Sequence, residues 1–173
     1  MARIPYPDAT ALQEKTRAAL ATLPVRNAFS MIAHAEGLAP PAFDFVNAVF
    51  ADMTLDARLR QIAILRVGYL CDSAYEVYHH EKAGRAAGLT PEEMNALKKD
   101  GSLDRLGERE REVARFAEEM MRDTRVSDRT FAAVRGFLTK RQVVELGLVT
   151  GFYNMISCFL ETFDIDIEKK KRR

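Results

Sequence analysis

The sequence predicts an all-α fold, a single-domain helical bundle of about eight helices. Three observations carry that expectation. Apolar residues recur at every third or fourth position rather than every second. The breaks between periodic stretches carry helix caps, and no stretch alternates in the manner of a half-buried strand. The length of 173 residues suits one domain, and a composition of 47% hydrophobic and 29% charged residues, with 9 Gly and 6 Pro, suits a chain that buries a substantial core. Collagen-like, low-complexity and mostly disordered classes are excluded by the same numbers.

The elements follow in order. After an extended entry at Ile4-Pro5-Tyr6-Pro7, Asp8 is placed to cap a first helix running to about Leu23, with Leu12, Leu20 and Leu23 as a narrow apolar stripe and Pro24 as the stop. A short second helix holds Ala28, Met31 and Ile32 and ends near Gly37. A third opens at Pro40-Pro41 and turns Phe43, Val46, Val49 and Phe50 inward. Asp56 to Leu70 is apolar nearly all round and is read as the central buried helix. Cys71-Asp72-Ser73 offers a cap to the next helix, which ends at Gly88, and Thr90-Pro91-Glu92-Glu93 opens another with a capping box. Three more are expected at about Gly107 to Asp123, Ser127 to Phe137 and Thr139 to Phe163. The last packs through Val143, Leu146, Val149, Phe152, Tyr153, Ile156 and Phe159. Arg60-Gln61-Ile62-Ala63 and Arg141-Gln142-Val143-Val144 open the two most apolar helices in similar words, as a helix-hairpin repeat would. Residues 1–168 are expected to form the domain and 169–173 a basic, disordered tail.

Charge and cysteine usage narrow the class. The formal charge is only +1, and the five basic residues that end the chain leave the remainder net acidic, so no nucleic-acid partner is expected. Two cysteines, Cys71 and Cys158, do not make a disulfide framework, although a contact between them through the fold stays open. Met1 to Asp8 has no apolar leader, and the longest uncharged run, Leu146 to Leu160, is shorter than the roughly 18 residues of a membrane span. A cytoplasmic protein without a membrane partner is expected.

The polar groups that could carry chemistry concentrate between Gln61 and Thr90. On a helix, Ser73, Glu76 and His80 share one face, and Glu76 reaches His80 at the i, i+4 spacing. Two readings are open for that pair: an acid/base couple able to move a proton near neutrality, or an exposed ion pair contributing about 0.3–0.5 kcal/mol. Metal binding needs a third ligand, for which His34 and His79 serve only if the fold brings them round, and no metal or cofactor is expected. Arg66, in an almost wholly apolar helix, needs either a carboxylate partner or an anionic ligand.

Three segments here carry a resemblance: Arg60-Gln61-Ile62-Ala63-Ile64-Leu65-Arg66, Ser73-Ala74-Tyr75-Glu76-Val77-Tyr78-His79-His80, and Ala83-Gly84-Arg85-Ala86-Ala87-Gly88-Leu89-Thr90. Together they resemble the carboxymuconolactone decarboxylase and alkylhydroperoxidase D-like superfamily. The Ile4-Pro5-Tyr6-Pro7 opening and the run Leu148-Val149-Thr150-Gly151-Phe152-Tyr153-Asn154-Met155 extend the likeness over most of the chain. The resemblance implies an all-helical fold and a homo-oligomer, whether dimer, trimer or hexamer. In the peroxidase branch the motif is a glutamate, a Cys-x-x-Cys pair and a histidine four residues on. Here those positions read Gln61, Ser73, Glu76 and His80, so the dithiol is lost, because neither Ser73 nor Glu76 supplies a thiolate.

Proton transfer is what the substituted positions retain. The decarboxylase side of the resemblance implies a small organic acid or lactone that undergoes decarboxylation or isomerisation. His80 is then the acid/base, Glu76 orients it, Tyr75 or Tyr78 donates a hydrogen bond, and Arg66 holds the substrate carboxylate, with Ser73, Gln61 and His79 lining the site. Two alternatives stand beside that reading. One is a thiol-dependent hydroperoxide reductase using Cys71; the other is a non-catalytic oligomeric ligand-binding protein.

Overall fold

The computed structural model describes residues Ala2–Glu168, which fold into nine α-helices and one short 3-10 turn, with no strand among the described residues. The expected basic tail at 169–173 lies outside the described residues. The chain divides into two compact units.

The first unit holds the residues up to Met53 and those from Leu160 onward, with helices α1 (Glu14–Leu20), α2 (Asn27–Ile32) and α3 (Ala39–Ala51). Its core is Leu12, Leu23, Met31, Phe43, Val46 and Val49, and Phe29 meets Phe43 edge to face at 5.9 Å. Two expectations are corrected here. Asp8 does not cap α1: its carboxylate accepts from Thr10 N and Oγ1 in a tight turn, so the helix begins only at Glu14. Phe50, expected inward, is 47% exposed, because the inward stripe of α3 is already filled by Phe43, Val46 and Val49. The segments at the two ends of the chain clasp each other through Tyr6 donating to Asp166 (2.8 Å) and Arg3 pairing with Asp164 (3.0 Å).

The second unit, Thr54–Phe159, carries the chemistry-bearing residues. It contains α4 (Ala57–Leu70), α5 (Ala74–Ala86), α6 (Pro91–Ala96), the 3-10 turn Leu103–Arg105, α7 (Glu108–Asp123), α8 (Asp128–Arg135) and all but the last turn of α9 (Lys140–Thr162). Asp56 caps α4 by accepting from Arg58 N and Leu59 N, and Ile62, Ala63, Ile64, Leu65 and Val67 are each at most 1% exposed. Burying one such aliphatic side chain stabilises the fold by about 1.5–3 kcal/mol, and the central position of α4 follows from that. Both halves of the capping box between Thr90 and Glu93 are present.

Two Schellman turns shape the α4–α5 hairpin. Gly88 adopts φ +86°, with Leu89 N donating to Gly84 O, which ends α5 where the sequence expects it to end. The other turn was not expected: Asp72 takes the left-handed position at φ 53°, and Ser73 N donates to Gly68 O (2.9 Å). Gly84 lies against Leu65, where an added Cβ would stand 3.1 Å from a Leu65 methyl, so α5 crosses α4 closely at that point.

The uncharged run Leu146 to Leu160 lies inside the longer α9, Lys140–Thr162, which by length and composition alone is apolar enough to cross a bilayer, a test that the core helix of a soluble protein also passes. Its Leu146, Val149, Tyr153 and Ile156 are buried, whereas Val144, Leu148 and Met155 are exposed.

Candidate active site

The site begins with the spacing on α5. Glu76 and His80 are one turn apart on the face that meets α4, and both are buried, at 6% and 9% exposure. Glu76 Oε2 lies 3.2 Å from His80 Nε2. The reading of this pair as an exposed ion pair is therefore excluded by burial. From α4, Gln61, itself 3% exposed, presents Oε1 at 2.8 Å from His80 Nδ1. From α9, Tyr153 packs its ring edge to face on the imidazole with centroids 4.8 Å apart. Three helices thus hold one histidine.

A neutral imidazole has one N–H and one lone pair, so it donates to one of these two oxygens, and as imidazolium it donates to both. The Tyr153 hydroxyl is pushed well above its usual range, first by full burial and then by the nearby Glu76 charge, with Arg60 opposing. It stays a neutral donor wall to the site.

The other residues named from the sequence fall in different places. Ser73 occupies the N-cap of α5, but its hydroxyl makes no cap bond; it is fully buried and has no hydrogen-bond partner among the described residues. Tyr75 is buried, with its ring 4.6 Å from that of His79. Tyr78 is 48% exposed and meets His79 edge to face at 5.0 Å. His34 is exposed in the first unit, with a ring nitrogen 2.9 Å from Pro5 O. No group of three or more His, Cys, Asp or Glu side chains able to hold a metal ion occurs among the described residues.

Arg66 requires a correction. It is 3% exposed and spends its terminal donors on Leu97 O (2.9 Å), Lys98 O (2.6 Å) and Glu118 Oε2 (2.5 Å). It ties α4 to the end of α6 and to α7 and is not available to a substrate carboxylate. The carboxylate partner that its burial demands is Glu118.

Cys71 forms the C-cap of α4, half-buried, with Sγ 3.8 Å from Asn154 Oδ1 on α9. Cys158, one turn further along α9, is exposed and places its own Sγ 3.6 Å from the same oxygen. The sequence reads Tyr153 as packing only, leaves a contact between Cys71 and Cys158 open and assigns nothing to Asn154. The available signal was a tyrosine and an asparagine set side by side in an otherwise apolar helix.

The all-helical fold is that of alkylhydroperoxidase D-like proteins. Residues 40–119 match the model of the Carboxymuconolactone decarboxylase family. Over those residues this chain is similar to that family. An uncharacterized peroxidase-related protein with an alkylhydroperoxidase AhpD core from Ralstonia eutropha superposes with a TM-score of 0.83 over 98% of this chain and 93% of that one, at 19% identity. A peroxidase-related protein from a Silicibacter species gives 0.76, at 19% identity, over 96% and 88%. A cysteine-to-alanine variant of the debrominase Bmp8, bound to 2,3,4-tribromopyrrole, gives 0.71 at 13% identity, over 89% and 82%. No curated protein matches this sequence. The family and its structural neighbours include enzymes.

Proposed function

We propose that this chain is a small-molecule enzyme of the carboxymuconolactone decarboxylase-like family that performs cofactor-free proton transfer, decarboxylating or isomerising a small organic acid or lactone. One observation carries the reading: both ring nitrogens of buried His80 have a polar partner, Gln61 Oε1 at 2.8 Å and Glu76 Oε2 at 3.2 Å, so an imidazole and a carboxylate are held together away from water. Both reactions need a proton removed or added beside a carbonyl, and a positioned acid/base contributes about 10²–10⁴ in rate. His80 is the acid/base, Glu76 its proton partner, and Gln61 fixes the ring. Tyr153 takes the hydrogen-bonding role that the sequence gives to Tyr75 or Tyr78. In place of Arg66, the cation for a substrate carboxylate is Arg60, whose charge reaches the Tyr153 hydroxyl.

The test is deuterium incorporation from D2O next to the carbonyl of a panel of 3-oxo acids and enol lactones, followed by proton NMR together with release of carbon dioxide. Wild type is expected to incorporate deuterium into at least one member, and His80→Gln to slow it by about 10²–10⁴. Equal rates in the two proteins, or tight binding with no exchange, would sink the reading.

A further inference from the structure

Outside the His80 cluster, the second unit holds another group of reactive side chains that the proton chemistry does not use. Cys71 ends α4 and Cys158 lies near the end of α9, far apart in sequence, yet both sulphurs contact one atom, Asn154 Oδ1, at 3.8 and 3.6 Å. The two sulphurs are therefore no further apart than those two legs laid end to end. The side chains differ in access, Cys158 being exposed and Cys71 half-buried. A third group joins them: the Ser157 hydroxyl is fully buried, has no other partner among the described residues, and lies where it favours the Cys71 thiolate. The backbone at Cys71 is fixed by the Schellman turn through Asp72, whose carboxylate pairs with Lys99.

We propose that Cys71 and Cys158 are a redox-modification site, a cysteine pair assembled across the fold that closes to a reversible intrachain disulfide between the α4–α5 turn and α9. The exposed Cys158 thiolate attacks a peroxide oxygen, breaking the O–O bond and releasing water or an alcohol, and becomes the sulfenic acid. The Cys71 sulphur then attacks the Cys158 sulphur and expels water. Overall the peroxide gains two electrons and two protons from the two thiols. An external dithiol reverses the change by exchange at the accessible Cys158 sulphur, leaving as its own disulfide. Burial pushes the Cys71 thiol above its usual range, which suits it to the resolving step rather than to first attack. This inference stands apart from the proton-transfer reading, since its chemistry uses neither His80 nor Glu76.

The experiment exposes the full-length chain to an equimolar amount of hydrogen peroxide at pH 8, followed by thiol titration and peptide mapping without reduction. Loss of both thiols together is expected, with one cross-linked peptide pair joining Cys71 to Cys158, monomer migration on a non-reducing gel, and full recovery with dithiothreitol. Cys71→Ser is expected to lose a single thiol and to leave a Cys158 sulfenate that dimedone labels at least tenfold more than in wild type. Both thiols left intact, a Cys158–Cys158 link between two copies, or Cys158 oxidised beyond the sulfenate with Cys71 still free in wild type would each overturn the proposal.

Discussion

The two polar clusters of the second unit share α4 and α9 yet are built in opposite ways. Around His80 each ring nitrogen has a partner within 3.2 Å, and Gln61, Glu76 and Tyr153 are all less than a tenth exposed. Around Asn154 one amide oxygen serves two sulphurs at 3.6 and 3.8 Å, and one of the two thiols is open to solvent. Low local dielectric strengthens a satisfied polar network and makes any break in it costly. A proton can be held and moved in such a place, because it needs no more space than a hydrogen bond. Thiol chemistry needs a reagent from outside and room for sulphur to travel, and the looser cluster supplies both. Adjacent faces of one helix therefore serve two kinds of chemistry, and Tyr153 and Asn154 mark the division.

The strongest way to break this contrast is Glu76→Gln. It keeps a hydrogen-bonding group at His80 Nε2 but removes the carboxylate. Turnover of the substrate identified by deuterium exchange is expected to fall by about 10²–10⁴, with peroxide-driven closure of Cys71 on Cys158 unchanged. A fall in both would show that the clusters act as one. Stability should separate them next. His80→Ala leaves a cavity and strands the Gln61 and Glu76 side chains without their partner, a loss of about 3 kcal/mol from the two effects together. Cys158→Ala removes an exposed thiol and should change stability by less than about 0.5 kcal/mol. Urea unfolding of the two variants reads the difference directly, and equal midpoints would erase the distinction between a sealed and an open cluster.

The legibility of these features in the sequence follows the range of the interactions. Local signals were sound: the capping box at Thr90 and Glu93, the helix-ending Gly88, the all-round apolar α4 and the i, i+4 spacing of Glu76 and His80 depend only on near neighbours. Where a local rule had a local competitor it failed, as at Asp8, which closes a turn with Thr10 rather than capping a helix. Contacts between helices were beyond reach. Nothing in the spacing of α4 says that Gln61 faces His80 while Arg66, little more than one turn later, faces Glu118 across another surface of the same helix. The similar wording of Arg60-Gln61 and Arg141-Gln142 shows the same limit. Gln61 is buried against an imidazole, whereas Gln142 completes a cap with Thr139 at the start of α9. The same two letters serve chemistry in one helix and folding in the other, because only tertiary packing decides which is buried.

The smallest effect sharpens the comparison through alkaline pH. Burial raises the Cys71 thiol above its usual value of 9.0, with the nearby Cys158 adding to the rise. Burial, then the Glu76 charge, raises the Tyr153 hydroxyl well above 10.0. In each case the unfolded chain loses its proton first, so the stabilisation is complete below the unfolded value and is lost as pH rises through the folded one. Each group then contributes a slope of at most about 1.4 kcal/mol per pH unit. Unfolding free energy should therefore decline in two stages, a thiol stage starting near pH 9 and a tyrosine stage starting near pH 10. Cys71→Ala should flatten the first. Tyr153→Phe should reduce but not abolish the second, because burial and Asp166 also push Tyr6 up to about 12, and its unfolded hydroxyl begins to ionise over the same interval. Urea midpoints measured at half-unit steps from pH 8 to 11 resolve the two stages. Since the Cys71 shift is the weaker of the two, the thiol stage should be the shallower, in keeping with a side chain only half withdrawn from water. A thiol stage as steep as the tyrosine stage would mean that the cysteine pair is sealed as tightly as His80, and that oxidation there must wait for the fold to open.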